Sequence, residues 1–364
     1  MADLRTDDFD YHLPPERIAQ TPVEPRDASR MLVIDRASGT LEHRIFREIG
    51  EYLRPGDLLV ANDSRVLPGR LWARRATGGK VELLLLRALD GGWWEALARP
   101  MQRLHPGQRL RLSSEFPVPS SELADSTRNP ELGTRDSSRS EVELGERTAT
   151  GAIRVRFDAD LSDVVQRFGH IPLPPYIREP LADPERYQTV YARVTGSAAA
   201  PTAGLHFTPA LLDRLSAKGI QLAFVTLHVG PDTFRPVRAA SVTEHKMHAE
   251  FAAVPEATAR AILAARREGR RVVAVGTTSV RALESWASAG VTSQGWSDWT
   301  RLFIYPGYRF QVIDALITNF HLPRSTLLML VSAFAGHTLM RRAYEEAVAT
   351  GYRFYSFGDC CLIL

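Results

Sequence analysis

The sequence predicts an α/β protein: a mostly parallel sheet layered with helices and interrupted by a β-rich insert. Three observations carry this. Beyond residue 160 short apolar runs alternate with helical stretches: a strand at 224–227, an alanine-rich helix at 256–268, a strand at 271–276 and a helix at 279–289. Repeated β-then-α units favour parallel strands, because each crossover helix packs back on the sheet. Between 70 and 112 the pattern changes to LWARRA, KVELLLLRAL, WWEALARP and QRLRL, parted by turns at Gly78-Gly79, Gly91-Gly92 and Pro106-Gly107. That is the rhythm of a small barrel or sandwich. IRVRF at 153–157 then alternates as a returning strand, so the residues between belong inside the β-rich unit.

Taken in order, 32–34 and 58–60 read as short buried strands, the second launched by the turn at Pro55 to Asp57. Residues 113–150 are rich in Ser, Glu, Arg and Pro with hardly any aromatic residues, and a flexible loop is expected there. Thr208 as N-cap and Pro209 at the first helical position open a helix whose buried stripe is Leu211, Leu212 and Leu215, ending at Gly219. Ser325 caps a second, apolar helix.

Composition bounds the function. With 364 residues the chain can bury a large core and form two domains. The longest apolar run near the C-terminus, 327–335, includes Ser332 and is too short to span a bilayer, which needs about 20 helical residues. The acidic start lacks the basic and apolar regions of a signal peptide, so a cytoplasmic location is expected. Cys360 and Cys361 are adjacent and make no disulfide framework. A net charge of +3 does not announce a nucleic-acid partner. Arg266, Arg267, Arg270 and Arg271 crowd one helix end, where a solvated terminus is the simpler reading and phosphate contact the sharper one. GXGXXG, GXXXXGK[ST], GXSXG and CXXC are all missing, which removes the standard dinucleotide, P-loop and α/β-hydrolase readings.

Four clusters carry candidate chemistry. The loop at 197–208 sets small residues, Pro201, Thr202 and Gly204 ahead of His206, a pattern suited to gripping a ligand or to an ordinary loop before a helix. GTTSVRALES follows a strand and opens a helix. Gly276, Thr277, Thr278 and Ser279 there offer hydroxyls and unpaired N–H groups to an anion, with Arg281 in the first turn; a plain Ser/Thr cap is the alternative. TLHVG places His228 at a strand end near Arg235. EHKMHAEF gathers Glu244, His245, His248 and Glu250 without HEXXH order, so metal is disfavoured. TNFHLPRSTLLML puts Asn319 and His321 in a loop stopped by Pro323. Single histidines at strand ends suit proton transfer near neutral pH.

AAPTAGLHFT, TLHVG with TFRPV, GTTSVRALES, TNFHLPRSTLLMLVSAFAG and YRFYSFGD resemble the signature of the S-adenosylmethionine:tRNA ribosyltransferase-isomerase family of queuosine biosynthesis. So do RDASRMLVIDR, PGDLLVANDSRVLPGRL and GHIPLPPYIRE nearer the N-terminus. The likeness spans nearly the whole chain outside 113–150; Pro231-Asp232 after HVG and Cys360-Cys361 after GD depart from the family pattern.

The resemblance implies a catalytic α/β domain at 1–66 and 152–364, interrupted by a β-barrel at 67–151. It implies transfer and isomerisation of the ribosyl moiety of S-adenosylmethionine onto 7-aminomethyl-7-deazaguanine at the wobble position of tRNA with a GUN anticodon. Epoxyqueuosine-tRNA, adenine and methionine result. S-adenosylmethionine is then a co-substrate, no metal or redox cofactor is needed, no membrane is involved, and a monomer is expected. On this reading His206, His228, His245 and His321 are acid/base candidates with Glu244 as orienter. Thr202 and Gly204 suit the nucleoside, Thr277, Thr278, Ser279 and Arg281 suit the methionine carboxylate, and Gly276 and Asn319 complete the donor-binding set. Asn62, Asp63, Arg65 and Arg235 are candidates for tRNA. A non-catalytic tRNA-binding module and a methyltransferase are the rivals, and only ribosyl transfer releases adenine.

Overall fold

The computed structural model describes residues 4–114, 140–148, 151–230, 233 and 236–364. The chain forms two compact units, Met1–Val66 with Leu173–Leu364, and Leu67–Pro172. The first unit begins with β1 (Arg30–Ile34), β2 (Leu41–Ile45), β3 (Leu58–Asn62) and β4 (Ser64–Val66). The second contains β5 (Arg70–Arg74), β6 (Lys80–Ala88), β7 (Trp94–Arg99), β8 (Arg109–Ser113), β9 (Glu141–Arg147), β10 (Ile153–Phe157) and α1 (Leu161–Phe168). The chain re-enters the first unit through β11 (Val194–Ser197), α2 (Pro209–Ala217), β12 (Gln221–Leu227), β13 (Glu250–Val254) and α3 (Glu256–Arg267). It ends with β14 (Val272–Val275), α4 (Thr277–Ser288), β15 (Trp296–Thr300), β16 (Ala315–Asn319), α5 (Thr326–Ala335), α6 (His337–Ala349) and β17 (Cys360–Ile363).

The nine-stranded sheet has the order β15-β13-β12-β3-β14-β16-β17-β1-β2. It is mixed, which corrects the mostly parallel expectation. β12, β3, β14 and β16 run parallel, as do β17 and β1, whereas β13, β15, β2 and the β16–β17 pair are antiparallel. The cause lies in the connections: two helices, α5 and α6, separate β16 from β17, and a two-helix connection returns the chain to the sheet end it left. β12 reaches β13 with no α-helix among the described residues between them.

Alternation along the strands divides the core. Leu58, Val60, Val272 and Ala274 join the apolar cluster that holds α3, α4, α5 and α6. Leu59, Ala61, Val273 and Val275 join the opposite one, with Leu211 and Leu215 of α2 and the aromatic Phe46 and Phe207. Thr208 and Ser325 are the expected N-caps, accepting from the backbone N–H of Leu211 at 3.1 Å and of Leu328 at 3.2 Å. At the crowded arginine end, Arg271 pairs with Asp57 and Arg270 donates to the Gly56 carbonyl, so these two tie α3's exit to the start of β3.

The second unit is a closed six-stranded barrel, β10-β7-β6-β5-β8-β9, filled by every second residue, such as Leu71 and Ala73, Val81, Leu83 and Leu85, and Ile153 and Val155. It runs to Pro172, past the expected boundary at 152, because β10 pairs with both β7 and β9 and Val164 of α1 enters its core. The flexible-loop expectation for 113–150 also needs correction, since Glu141–Arg147 is barrel strand β9. Residues 115–139 and 149–150 of that stretch lie outside the described residues. Among the described residues no helix is long and apolar enough to cross a membrane.

Candidate active site

The parallel strands β3, β12, β14 and β16 end at one edge of the sheet, where Asn62, Val229, Gly276 and Asn319 follow or close them. A cleft lies there, beyond the carboxyl ends of the strands, the usual ligand position in such sheets. Ala200 to Ala203 form one wall, Gly276 to Thr278 another, and the chain from Thr318 to Leu322 a third. Because β17 runs antiparallel to β16, the residues before it, Tyr355 and Ser356, reach the same edge. No Asp, Glu, Lys or Arg is among the described lining residues.

His206 sits in the short 3-10 turn Thr202–His206 and is buried behind the cleft wall. Its Nδ1 meets Ser29 Oγ at 2.7 Å and its Nε2 meets Asn319 Nδ2 at 3.2 Å. Burial, with the positive charges of Arg353 and Arg26, pushes the imidazole down to about 3, so it stays neutral at ordinary pH. Thr202 and Asn319 do line the cleft and face each other, Oγ1 to Oδ1, at 3.4 Å. Gly204 has another role from the one expected. A Cβ there would fall 2.1 Å from the Tyr191 hydroxyl oxygen and 2.8 Å from Thr189 Cγ2, so the glycine answers to packing against Tyr191.

His321 is the histidine that lines the cleft. Its Nδ1 contacts the Tyr344 hydroxyl at 3.1 Å, its Nε2 contacts Thr318 Oγ1 at 3.2 Å, and burial lowers its pKa to about 3. Tyr344 also accepts from the His321 backbone N–H at 3.0 Å, so ring and main chain are held by one hydroxyl.

At the start of α4, Gly276 has φ 87°, a conformation that favours glycine. It brings Thr277 and Thr278 to the cleft. Thr278 Oγ1 accepts from Asn62 Nδ2 at 3.2 Å. Ser279 does not reach the cleft lining: its hydroxyl donates to the Val275 carbonyl at 2.7 Å. Arg281 is likewise turned to another task. It is buried, paired with Glu250, and donates from Nε to the Leu302 carbonyl at 3.2 Å.

The remaining candidates stand apart from the cleft lining. His228 contacts Ser64 Oγ at 2.9 Å and stacks on Phe251; burial lowers its pKa, opposed by Asp63. His245 packs edge-on against Phe303 and is also lowered, by burial and then by His248, while Glu244 is exposed. Asn62 is buried and bridges Leu227, Ser64 and Thr278. Buried Asp63 accepts from Thr226 at 2.7 Å and from Arg193 at 2.9 Å. Neither offers a surface to tRNA, since both amide and carboxylate are enclosed. Arg65 pairs with Glu185 near the surface. Arg235, with the departing Pro231-Asp232 pair, lies outside the described residues.

Sequence reasoning passed over the aromatic walls. Tyr176, Phe320 and Tyr355 line the cleft; the rings of Tyr176 and Tyr355 are 4.7 Å apart, and Tyr176 meets Ser356 Oγ at 2.8 Å. The signal was present in GHIPLPPYIRE and YRFYSFGD, but a tyrosine in a loop carries no spacing rule that marks it. Tyr355 has φ 71°, a strained position for a bulky residue and one that concentrates at functional sites.

The chain matches the family model described as queuosine biosynthesis protein over residues 6–363. It is 54% identical to the S-adenosylmethionine:tRNA ribosyltransferase-isomerase of Symbiobacterium thermophilum, across 99% of this chain and 100% of that one. The protein of the same name from Thermus thermophilus is 53% identical, with 98% of each covered. The crystal structure of S-adenosylmethionine tRNA ribosyltransferase from Thermotoga maritima aligns with a TM-score of 0.55 at 40% identity, over 98% of this chain and 100% of that one. A match of this extent places the chain in the queuosine biosynthesis protein family.

Proposed function

We propose that this chain is an S-adenosylmethionine:tRNA ribosyltransferase-isomerase that acts in the cleft at the carboxyl ends of β3, β12, β14 and β16. The observation that carries the reading is the cleft itself, in which a helix start, a histidine, hydroxyls and aromatic rings converge with no charged side chain in the described lining. The N-terminus of α4 suits the methionine carboxylate, because its unpaired N–H groups and helix dipole favour an anion there. The aromatic walls suit a purine or a base splayed from the anticodon loop.

The sulfonium acidifies the adjacent 5′ carbon of the donor. A base takes that proton, adenine departs with help from an acid, and the amine of the 7-aminomethyl-7-deazaguanine captures the rearranged sugar as methionine leaves. His321 is the acid/base candidate on this reading, because it is the histidine among the described residues that line the cleft. The sulfonium supplies the acidity itself, so the reaction proceeds without metal or redox cofactor. The acceptor is tRNA with a GUN anticodon, and the protein works as a cytoplasmic monomer.

Chromatography tests this directly. Purified protein given S-adenosylmethionine and tRNA bearing the aminomethyl-deazaguanine releases adenine and methionine, and continues to do so in strong chelator. S-adenosylhomocysteine without adenine would make the protein a methyltransferase, and binding without turnover a recognition module. Loss of activity in chelator with rescue by zinc would overturn the metal-free reading.

A further inference from the structure

We propose that His206 is a positioning residue: with the Tyr355 carbonyl it holds the Asn319 amide so that its oxygen is left for the cleft, and that oxygen, paired with the Thr202 hydroxyl, recognises a ribose hydroxyl of the donor. The inference rests on the reading of S-adenosylmethionine as donor.

A primary amide carries two hydrogens, and both are committed here. One goes to the Tyr355 carbonyl oxygen at 3.1 Å and the other to His206 Nε2 at 3.2 Å. A carbonyl oxygen can only accept, so the Tyr355 bond fixes which side of the amide is nitrogen. His206 Nε2 must therefore accept, and Nδ1 carries the hydrogen that Ser29 Oγ receives. The neutral imidazole is the form this chain of bonds requires, and Phe46, with ring centroids 5.2 Å apart, packs against it.

What remains for a ligand is Asn319 Oδ1 beside Thr202 Oγ1, with 3.4 Å between them and both residues on the cleft wall. That separation is long for a hydroxyl donor, whose bonds centre near about 2.7–2.8 Å. A ligand hydroxyl seated against the pair accepts from Thr202 and donates to Asn319. An exocyclic amine of a purine offers only donors and leaves the Thr202 hydrogen unused. A hold on the sugar also persists after adenine departs, when the ribosyl group has still to rearrange and meet the amine.

The test compares inhibition constants of 2′-deoxy and 3′-deoxy S-adenosylmethionine with the KM of S-adenosylmethionine, at saturating tRNA, in wild type, Thr202→Val, His206→Ala and His206→Gln. In wild type one deoxy analogue binds about ten-fold more weakly than the parent, equivalent to about 1.4 kcal/mol. Thr202→Val and His206→Ala bring parent and analogue to within about two-fold by weakening the parent. His206→Gln, whose Oε1 can accept from Asn319, restores the discrimination, which a purely structural role for the imidazole would not do. An analogue lacking the 6-amino group keeps one ratio to the parent throughout. Equal binding of both deoxy analogues in wild type, undiminished discrimination in the variants, or a change confined to the 6-amino analogue overturns the proposal. Absence of adenine release from wild type would instead overturn the donor reading.

Discussion

Arg281 and Glu250 form an ion pair in which each side chain is only 5% exposed. The carboxylate does more than balance the charge. Glu250 Oε1 also accepts from the Gly230 N–H at 2.7 Å and from Thr233 Oγ1 at 2.8 Å, and Thr233 lines the cleft. α4 thus reaches, through β13, the loop that follows β12. Expecting Arg281 to bind the donor carboxylate was reasonable for an arginine in the first turn of a helix. A buried carboxylate one strand away is the stronger partner, and sequence separation hides it.

The prediction follows from the cost of leaving one buried charge alone. Arg281→Met strands the Glu250 carboxylate and costs about 3–5 kcal/mol, whereas adding Glu250→Gln, which keeps an acceptor for Gly230 and Thr233, recovers most of that loss. Urea unfolding of the two single variants and the double variant checks it. A double variant as unstable as Arg281→Met would show that the arginine acts through packing.

The barrel gives a second prediction. Leu112 donates its backbone N–H to the Ser140 carbonyl at 3.0 Å, and Arg111 pairs with Glu141 in the β8–β9 register. The ends flanking 115–139 are therefore already side by side. Replacing 115–139 by a short turn leaves Tm unchanged or a few degrees higher, because each halving of a loop saves about 0.6 kcal/mol of closure entropy. Deleting 113–150 removes β9 and opens the barrel. Thermal unfolding separates the two, and equal loss in both would mean that residues 115–139 stabilise the unit.

pH dependence comes from the two enclosed histidines. His206 and His321 both have pKa values pushed down to about 3 by burial, against about 6.5 for an unfolded imidazole. The unfolded chain therefore binds the extra protons between those limits, and stability is full above about 6.5 and falls progressively as the pH drops towards 3. From pH 7 to pH 5 the two together remove stability on the order of 4 kcal/mol. Denaturant midpoints at the two pH values measure this, and His206→Gln with His321→Gln flattens the difference. A slope unchanged in the double variant would assign it to carboxylates instead.

Local chemistry was legible where it was local. The N-caps at Thr208 and Ser325, the strand-to-helix step at Gly276 and the switch to barrel periodicity near Arg70 all depend on a few adjacent residues. Strand direction was not legible, because the reversal at β17 depends on two helices intervening where one would have given a parallel pair. β9 was hidden by its setting in a polar, charge-rich stretch, although Val142 and Leu144 alternate correctly for a barrel wall. At the site, residue type pointed to histidines and hydroxyls, but burial decided their fates. His206 and Ser279 turn inward to protein partners, while Thr202, Thr277, Thr278, Asn319 and His321 share the cleft.

The last prediction concerns how a cleft without acidic side chains in its described lining holds a sulfonium. Tyr176 and Tyr355 stand 4.7 Å apart by ring centroid, with Phe320 also on the wall. An aromatic face attracts a compact organic cation by about 0.5–2 kcal/mol, the upper end applying when the site is dry. Tyr176→Leu keeps apolar volume and removes that face. The KM of S-adenosylmethionine then rises about five- to ten-fold, while the inhibition constant of S-adenosylhomocysteine, the uncharged thioether, moves by no more than about two-fold, because only the former loses a cation–ring attraction. Equal weakening of both ligands would reduce Tyr176 to a packing surface. A change confined to the KM of tRNA would reassign the ring to stacking on a base of the anticodon loop.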